Sequence, residues 1–157
     1  LNLLGCASSE KKDYTSIESM ESNPLIYFYK TPSAQEKVAI VLVEKAREEI
    51  KNTEYDVAYS KLEKAISLNP NNFFAYFYLS RLHLIRGKTS VSIELLSKAR
   101  VFIVPDNKWK GEYYYLLGEC YEQVNNISKA KENYRKAFKL DSSNSRAREK
   151  LDVLEGR

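Results

Sequence analysis

Few residues of this 157-residue chain are of the types that carry out acid–base, nucleophilic or metal chemistry. The chain has one histidine, His83, and two cysteines, Cys6 and Cys120. His83 takes an aromatic position in an apolar helical stripe, so we expect a packed histidine rather than a catalytic one. Cys120 lies on a similar stripe and is expected to be a small buried residue. One histidine and two distant cysteines cannot complete a Cys/His zinc site, and the sequence has no glycine-rich phosphate loop. We therefore expect no catalytic residue, no metal site and no cofactor.

The composition favours one helical domain. Hydrophobic residues make up 43% of the chain and charged residues 29%, which is ordinary for a globular protein that buries a core. Five glycines and four prolines are few enough to favour long helices over many tight turns. The formal net charge of +4 is too small to argue for nucleic-acid binding, and we expect none.

The residues before Cys6 suggest a different kind of chemistry, which is covalent lipidation. Leu3-Leu4-Gly5-Cys6 resembles the lipobox of bacterial lipoproteins. The resemblance implies cleavage before Cys6 and attachment of lipid to its sulfur and new N-terminus. We expect residues 1–6 to be the remnant of a signal peptide that ends at a lipidated Cys6. The alternative is a chance apolar sequence that ends in a free cysteine.

Residues 7–32 connect this site to the rest of the chain and change character part-way. Ala7 to Asn23 is rich in Ser, Glu, Lys and Thr, as expected of a solvated tether. A flexible tether of this length spans about 20–25 Å. Leu25 to Tyr29 is apolar and bracketed by prolines, and we expect it to be extended. It could pack on the first helix, or it could occupy a groove on this molecule or on a neighbour, which would allow self-association.

From residue 33 onward, apolar residues recur with the period of a helix. Tyr114, Leu117, Gly118 and Tyr121 have offsets of 0, 3, 4 and 7, which place them on one helical face. Gly118 is small enough to let two helices approach closely. Ser33-Ala34-Gln35-Glu36 has the spacing of a capping box and predicts the start of the first helix.

These helical stripes repeat along the chain. Ala58, Ser92 and Ala130 take the same position in successive copies, and the second interval is four residues longer than the first. We expect the four extra residues to lie in the connection around Pro105 to Lys110. The repeats predict a domain over residues 33–157, with helical hairpins over 33–70, 71–106 and 107–142 and a capping helix over 143–157.

A two-helix unit of about 34 residues, the interval from Ala58 to Ser92, resembles the tetratricopeptide repeat. The resemblance implies an all-α fold, a right-handed superhelix of three helical hairpins plus a C-terminal capping helix. It also implies a concave groove, lined by the first helix of each hairpin, that commonly binds peptide or helix ligands. The residues that match the family pattern best are those of the third copy: Tyr114, Leu117, Gly118, Tyr121, Ala130, Tyr134 and Ala137.

The helical face next to the core positions predicts which residues line this groove. It is aromatic in its middle, with arginines on one side and glutamates on the other, and aromatic residues and Arg are frequent binding hot spots. The alternative is that Phe74 and Phe77 are covered by the Leu25–Tyr29 segment or by ordinary core contacts. The predicted partner-binding residues are Val43, Arg47, Phe74, Phe77, Tyr78, Arg81, Tyr115, Glu119 and Glu122.

Together these features predict a non-catalytic interaction scaffold rather than an enzyme. We expect a tetratricopeptide lipoprotein, anchored through Cys6, that binds another envelope protein or peptide in its groove as part of an assembly complex. We expect it in the bacterial cell envelope, facing the periplasm, on the outer rather than the inner membrane. The alternative is a ligand-binding accessory protein of a transport system, which an enclosed cavity would favour.

Overall fold

The structure, a computed structural model, describes residues 24–156. These residues form a short 3-10 turn, Leu25–Phe28, and seven α-helices, with no strand among them. Cys6 and the tether from Ala7 to Asn23 lie outside the described residues. No helix within the described part of the chain is long and apolar enough to cross a membrane. The helices are α1 (Ala34–Lys51), α2 (Tyr55–Leu68), α3 (Phe73–Ile85), α4 (Thr89–Val101), α5 (Asn107–Gln123), α6 (Ile127–Leu140) and α7 (Ser145–Glu155).

The helices pair as three hairpins, α1–α2, α3–α4 and α5–α6. Helix α2 also packs on α3, α4 packs on α5, and α7 packs on α6, so each hairpin contacts its neighbour in a continuous array. The predicted all-α superhelix of three hairpins with a terminal helix is confirmed. The capping box at Ser33 and Glu36 is also present and begins α1.

The turn inside each hairpin has the same backbone geometry. Thr53, Gly87 and Asn125 have positive φ angles of 64°, 72° and 58°, and they take equivalent positions in the three hairpins. The next residue in each turn donates its N–H to the carbonyl oxygen five positions earlier, at 2.8 Å in all three. These bonds satisfy the last carbonyl groups of α1, α3 and α5, as in a Schellman motif.

The extra four residues lie where expected, around Pro105 to Lys110, but their conformation differs from the expected connection. The capping residues Asn72 and Asp106 are one regular repeat apart, and each accepts a backbone N–H in the first turn of its helix. The interval between the core residues Tyr76 and Tyr114 is four residues longer. The insertion therefore forms the first turn of α5, which has 17 residues where α3 has 13, so the extra residues within Pro105 to Lys110 are helical rather than a connection. It adds about one helical turn to the start of α5.

Gly118 allows α5 to lie close to α6, as the sequence predicts. A Cβ atom at this position would lie 2.6 Å from Cε1 of Tyr134, which is closer than carbon atoms pack. Tyr134 is fully buried and donates its O–H to Glu122 at 2.5 Å. The small residue on α5 therefore makes room for the large one on α6.

Candidate functional site

The inner face of the array is formed by α1, α3 and α5, and it has two different halves. The aromatic half lies at the N-terminal ends of α3 and α5. The charged half lies at the C-terminal ends of the same two helices. The predicted site residues are divided between the two halves.

Trp109 is the centre of the aromatic half. It lies in the extra turn of α5, and its ring centroid is 4.8 Å from that of Phe74, 5.8 Å from Phe77 and 6.3 Å from Tyr78, all in edge-on or near edge-on geometry. Edge-on contacts of this kind add to the free energy that burial of each ring contributes. Trp109 is absent from the predicted site residues. Two features of the sequence could have indicated it, since it is the chain's single tryptophan and it lies in a four-residue insertion.

The N-terminal segment, Leu25–Tyr29, covers this aromatic half. The Phe28 ring lies 5.4 Å from Phe74 and 6.3 Å from Trp109. Leu25 is fully buried and donates its N–H to Glu44 Oε1 on α1 at 2.8 Å. Burial of one leucine side chain contributes about 1.5–3 kcal/mol. The segment is a 3-10 turn rather than the extended stretch that the sequence suggests.

The predicted groove is consequently closed over much of its length. Val43, Phe74 and Tyr78 have no exposed surface, and Phe77 is 3% exposed. Arg47 is buried as well, with its guanidinium carbon 5.9 Å from the centroid of the Tyr78 ring. The structure thus agrees with the alternative in which the Leu25–Tyr29 segment and core contacts, here those of Trp109, cover Phe74 and Phe77, and not with a fully open aromatic groove.

Helix α7 covers the start of the third hairpin in a similar way. The Arg146 guanidinium carbon lies 4.3 Å from the centroid of the Tyr115 ring, and Tyr115 is buried. Glu112 accepts hydrogen bonds from Arg146 at 2.5 Å and from Asn144 Nδ2 at 3.0 Å. Burial, and then the Glu119 carboxylate, raise the pKa of Tyr115 above its ordinary value. Tyr115 is thus a packing residue beneath the cap.

The charged half holds an open cleft of about 460 Å³. Its floor is apolar, with Leu84 and Leu116 buried, and its mouth faces solvent. Glu122 accepts a hydrogen bond from Lys150 Nζ at 3.0 Å across the cleft. The residues that line the cleft are Arg81, Leu84, Ile85, Leu116, Glu119, Glu122, Gln123 and Lys150.

Three predicted site residues, Arg81, Glu119 and Glu122, meet in this cleft. The lining therefore carries both signs of charge, two cations and two carboxylates, with Arg81 itself buried. Lys150 is absent from the predicted site because the last helix was expected to act as a cap alone. A rim of both signs over an apolar floor suits a peptide that inserts an apolar side chain between polar groups.

His83 and Cys120 are packing residues, as predicted. The His83 ring lies 5.7 Å from the Tyr59 ring, and burial lowers its pKa from the usual 6.5. The Cys120 thiol is fully buried 3.2 Å from Ser92 Oγ, and burial raises its pKa to about 11. A thiol with this pKa stays protonated near neutral pH. Within residues 24–156, no three His, Cys, Asp or Glu side chains gather to form a metal site.

Comparison with protein families explains the regular turns and spacing. Residues 111–144, which span α5 and α6, match a family model described as tetratricopeptide repeat. Residues 61–90 match a second model with the same description. These two stretches are similar to tetratricopeptide repeats. No curated protein matches it in sequence.

Solved structures share the same tetratricopeptide fold. The first tetratricopeptide domain of Spaghetti (RPAP3), bound to an HSP90 peptide, is 21% identical with a TM-score of 0.68, over 77% of this chain and 93% of that one. The Arabidopsis OM64 tetratricopeptide domain is 21% identical with a TM-score of 0.69, over 79% and 99%. The Yersinia enterocolitica secretion chaperone SycD, in complex with a YopD peptide, is 16% identical with a TM-score of 0.62, over 73% and 90%.

The tetratricopeptide fold is typical of scaffolds that bind other proteins, because stacked repeats create a concave binding surface. In this array the N-terminal segment and α7 fill two parts of that surface. Among the residues that the structure describes, the cleft between α3, α5 and α7 is a part of that surface that is open.

Proposed function

We propose that this tetratricopeptide array is a non-catalytic scaffold that binds another envelope protein or peptide in the charged cleft. A lipid on Cys6 would hold it at a bacterial membrane as part of an assembly complex. The observation that carries the binding role is the open cleft, since within residues 24–156 it is a stretch of inner face that the neighbouring elements leave accessible to a peptide.

Two features support a peptide partner over a small ligand. The cleft is open to solvent, whereas a carrier of small apolar molecules encloses most of its ligand. The structures of the RPAP3 domain and of SycD each contain a bound peptide. An accessory protein of a transport system, which would need an enclosed cavity, is therefore the weaker proposal.

The envelope location rests on the sequence of residues 3–6. An apolar pair, a glycine and a cysteine, followed by a polar stretch, support cleavage and lipidation at Cys6. Two or three acyl chains would anchor the protein firmly, since each buried CH₂ contributes about 0.8 kcal/mol. We propose a periplasm-facing position, on the outer rather than the inner membrane.

Site-specific photo-crosslinking in intact cells tests the binding role. A photoreactive amino acid at Gln123, which lies on the cleft rim, should crosslink to one defined partner. The same amino acid at Ser97, which is exposed on α4, is the control and should not. Ile85→Arg, which places a bulky charge at the mouth of the cleft, should remove the crosslink. Val101→Arg changes an exposed residue outside the cleft and should leave it intact.

Equal crosslinking at both positions, or a crosslink that survives Ile85→Arg, would contradict the cleft as binding site. The lipid is tested separately by mass spectrometry of the protein matured from its natural precursor. A soluble protein with an unmodified Cys6 would overturn the membrane anchor and leave the cleft proposal standing.

A further inference from the structure

The aromatic half of the inner face already holds a short peptide, which is the chain's own N-terminal segment. We propose that this half is a second peptide-binding site, separate from the charged cleft. Its ligand would be a partner segment with an aliphatic residue followed, three and four positions later, by two aromatic residues. The N-terminal segment occupies the site until such a partner displaces it.

The segment touches the helix of every repeat that lines the inner face. Its backbone N–H at Leu25 bonds to Glu44 on α1. Its Phe28 ring packs on Phe74 of α3 and on Trp109 of α5. A ligand that lies across a repeat array makes the same kind of contact with successive repeats.

The segment lies on top of an aromatic floor that is packed without it. The Trp109 ring contacts Phe73, Phe77 and Tyr78 as well as Phe74, and these rings also pack on one another. The segment itself is partly open, since Tyr27 is 78% exposed. Removal of the segment would therefore uncover an apolar surface whose shape is held by the repeats.

The segment has little secondary structure of its own. Its 3-10 turn is a single short element, bounded by backbone hydrogen bonds from Tyr27 to Pro24 at 3.3 Å and from Tyr29 to Ile26 at 3.1 Å. Short elements with few backbone bonds open more readily than helices in the core of an array. Exchange with a partner therefore requires local opening, not unfolding of the repeats.

The short link to α1 favours a partner peptide over a second copy of this chain. Three residues, Lys30, Thr31 and Pro32, separate Tyr29 from the capping residue Ser33. Such a link spans at most about 14 Å, so the segment stays near its own α1. A second copy could supply its segment only if the two α1 helices lay side by side.

Because the N-terminal segment occupies the site, the affinity for an added peptide should increase when the segment is released. A site that is free for only a fraction of the time shows an apparent affinity reduced by that fraction. The variant Leu25→Asp with Phe28→Ala removes both anchors and leaves the aromatic floor unchanged. The milder variant Phe28→Ala keeps Leu25 in place.

The test is fluorescence anisotropy of a labelled peptide of residues 24–32 with the full chain. We expect the double variant to bind the peptide at least tenfold more tightly than the wild type, with Phe28→Ala in between. A peptide with alanine at the positions of Phe28 and Tyr29 should not bind. Trp109 fluorescence should change on binding, because it is the chain's single tryptophan and forms the floor.

Controls separate this site from the cleft. Ile85→Arg blocks the cleft and should leave binding of the 24–32 peptide unchanged, so failure of one proposal does not imply failure of the other. Equal affinity for the wild type and for a released variant with native circular dichroism would overturn the proposal. If the double variant does not fold, equal affinity of Phe28→Ala and wild type overturns it. A concentration-dependent dimer that the 24–32 peptide dissociates would identify a second copy as the occupant and would overturn it as well.

Discussion

Helices α3 and α5 form both halves of the inner face, yet one half is covered and the other is open to solvent. At the N-terminal ends, rings fill the space between the helices and the N-terminal segment covers them. At the C-terminal ends, charged side chains surround a cleft that stays open. The difference arises from two additions to the repeat, the extra turn that carries Trp109 and the segment before α1. Exposure on a repeat array is thus decided by insertions and flanking segments as much as by the helical face.

The largest effect that this comparison implies is the loss of stability when Trp109 is truncated. Trp109→Ala would leave a cavity among Phe74, Phe77 and Tyr78, and we expect the free energy of unfolding to fall by about 3–5 kcal/mol. Gln123→Ala, on the open rim of the cleft, removes the acceptor of one hydrogen bond from Thr89 and should lower it by only about 1 kcal/mol. Urea unfolding followed by circular dichroism measures both. Similar losses for the two variants would remove the distinction between a packed half and an open half.

A smaller effect is expected beneath the charged half. Gly118→Ala would place a methyl group against the Tyr134 ring, and we expect a loss of about 1–3 kcal/mol through overpacking. Tyr134→Leu should tolerate the added methyl group, so the double variant should lose less than the sum of the two single losses. Strict additivity in the double-mutant cycle would contradict the close approach of α5 and α6.

Helix α3 contributes to both halves of the inner face, and His83 packs on its opposite face. Protonation of His83 in acid should therefore destabilise the helix that holds both halves. Burial, together with the nearby Lys88 and Arg86 charges, lowers the pKa of His83 from 6.5 in the folded chain. The unfolded chain then binds the proton more readily, so stability is full above about pH 6.5 and falls as the pH decreases toward the folded-state pKa. We expect the melting temperature to fall between pH 7 and pH 5.5.

His83→Tyr is the matched control, because Tyr121 takes the equivalent position in the next repeat. With the chain's single histidine removed, the melting temperature should become flat over this range, since carboxylates titrate at lower pH. An unchanged slope in this variant would show that another group is responsible.

The smallest effect on stability should come from the charged pair across the cleft. Lys150 and Glu122 are both about one-third exposed, and pairs of this kind contribute about 0–1 kcal/mol. Lys150→Ala should therefore lower the melting temperature by little, and added salt should reduce the difference further. A large loss would mean that the charged half is a packing element, like the aromatic half.

Much of the fold follows from residue spacing alone. The offsets of Tyr114 to Tyr121 and the regular repeat predict the hairpins, because helical period and close packing act locally. The degree to which each predicted groove residue is buried does not follow from residue spacing. Phe74 faces the inner surface as its helical phase predicts, but contacts from Trp109 and Phe28, which are distant in the sequence, bury it. The position of a residue on its helix determines which way its side chain points, whereas the burial of that side chain depends on tertiary contacts.

The most direct test of the divided inner face is a nuclear magnetic resonance titration of the full chain with the segment that crosslinks at Gln123. We expect the largest backbone shifts at Ile85, Leu116 and Gln123, and no change in the Trp109 indole N–H signal. That result would show an open charged half beside a filled aromatic half. Shifts confined to the outer helices α2, α4 and α6, or a change at Trp109 with none in the cleft, would contradict it.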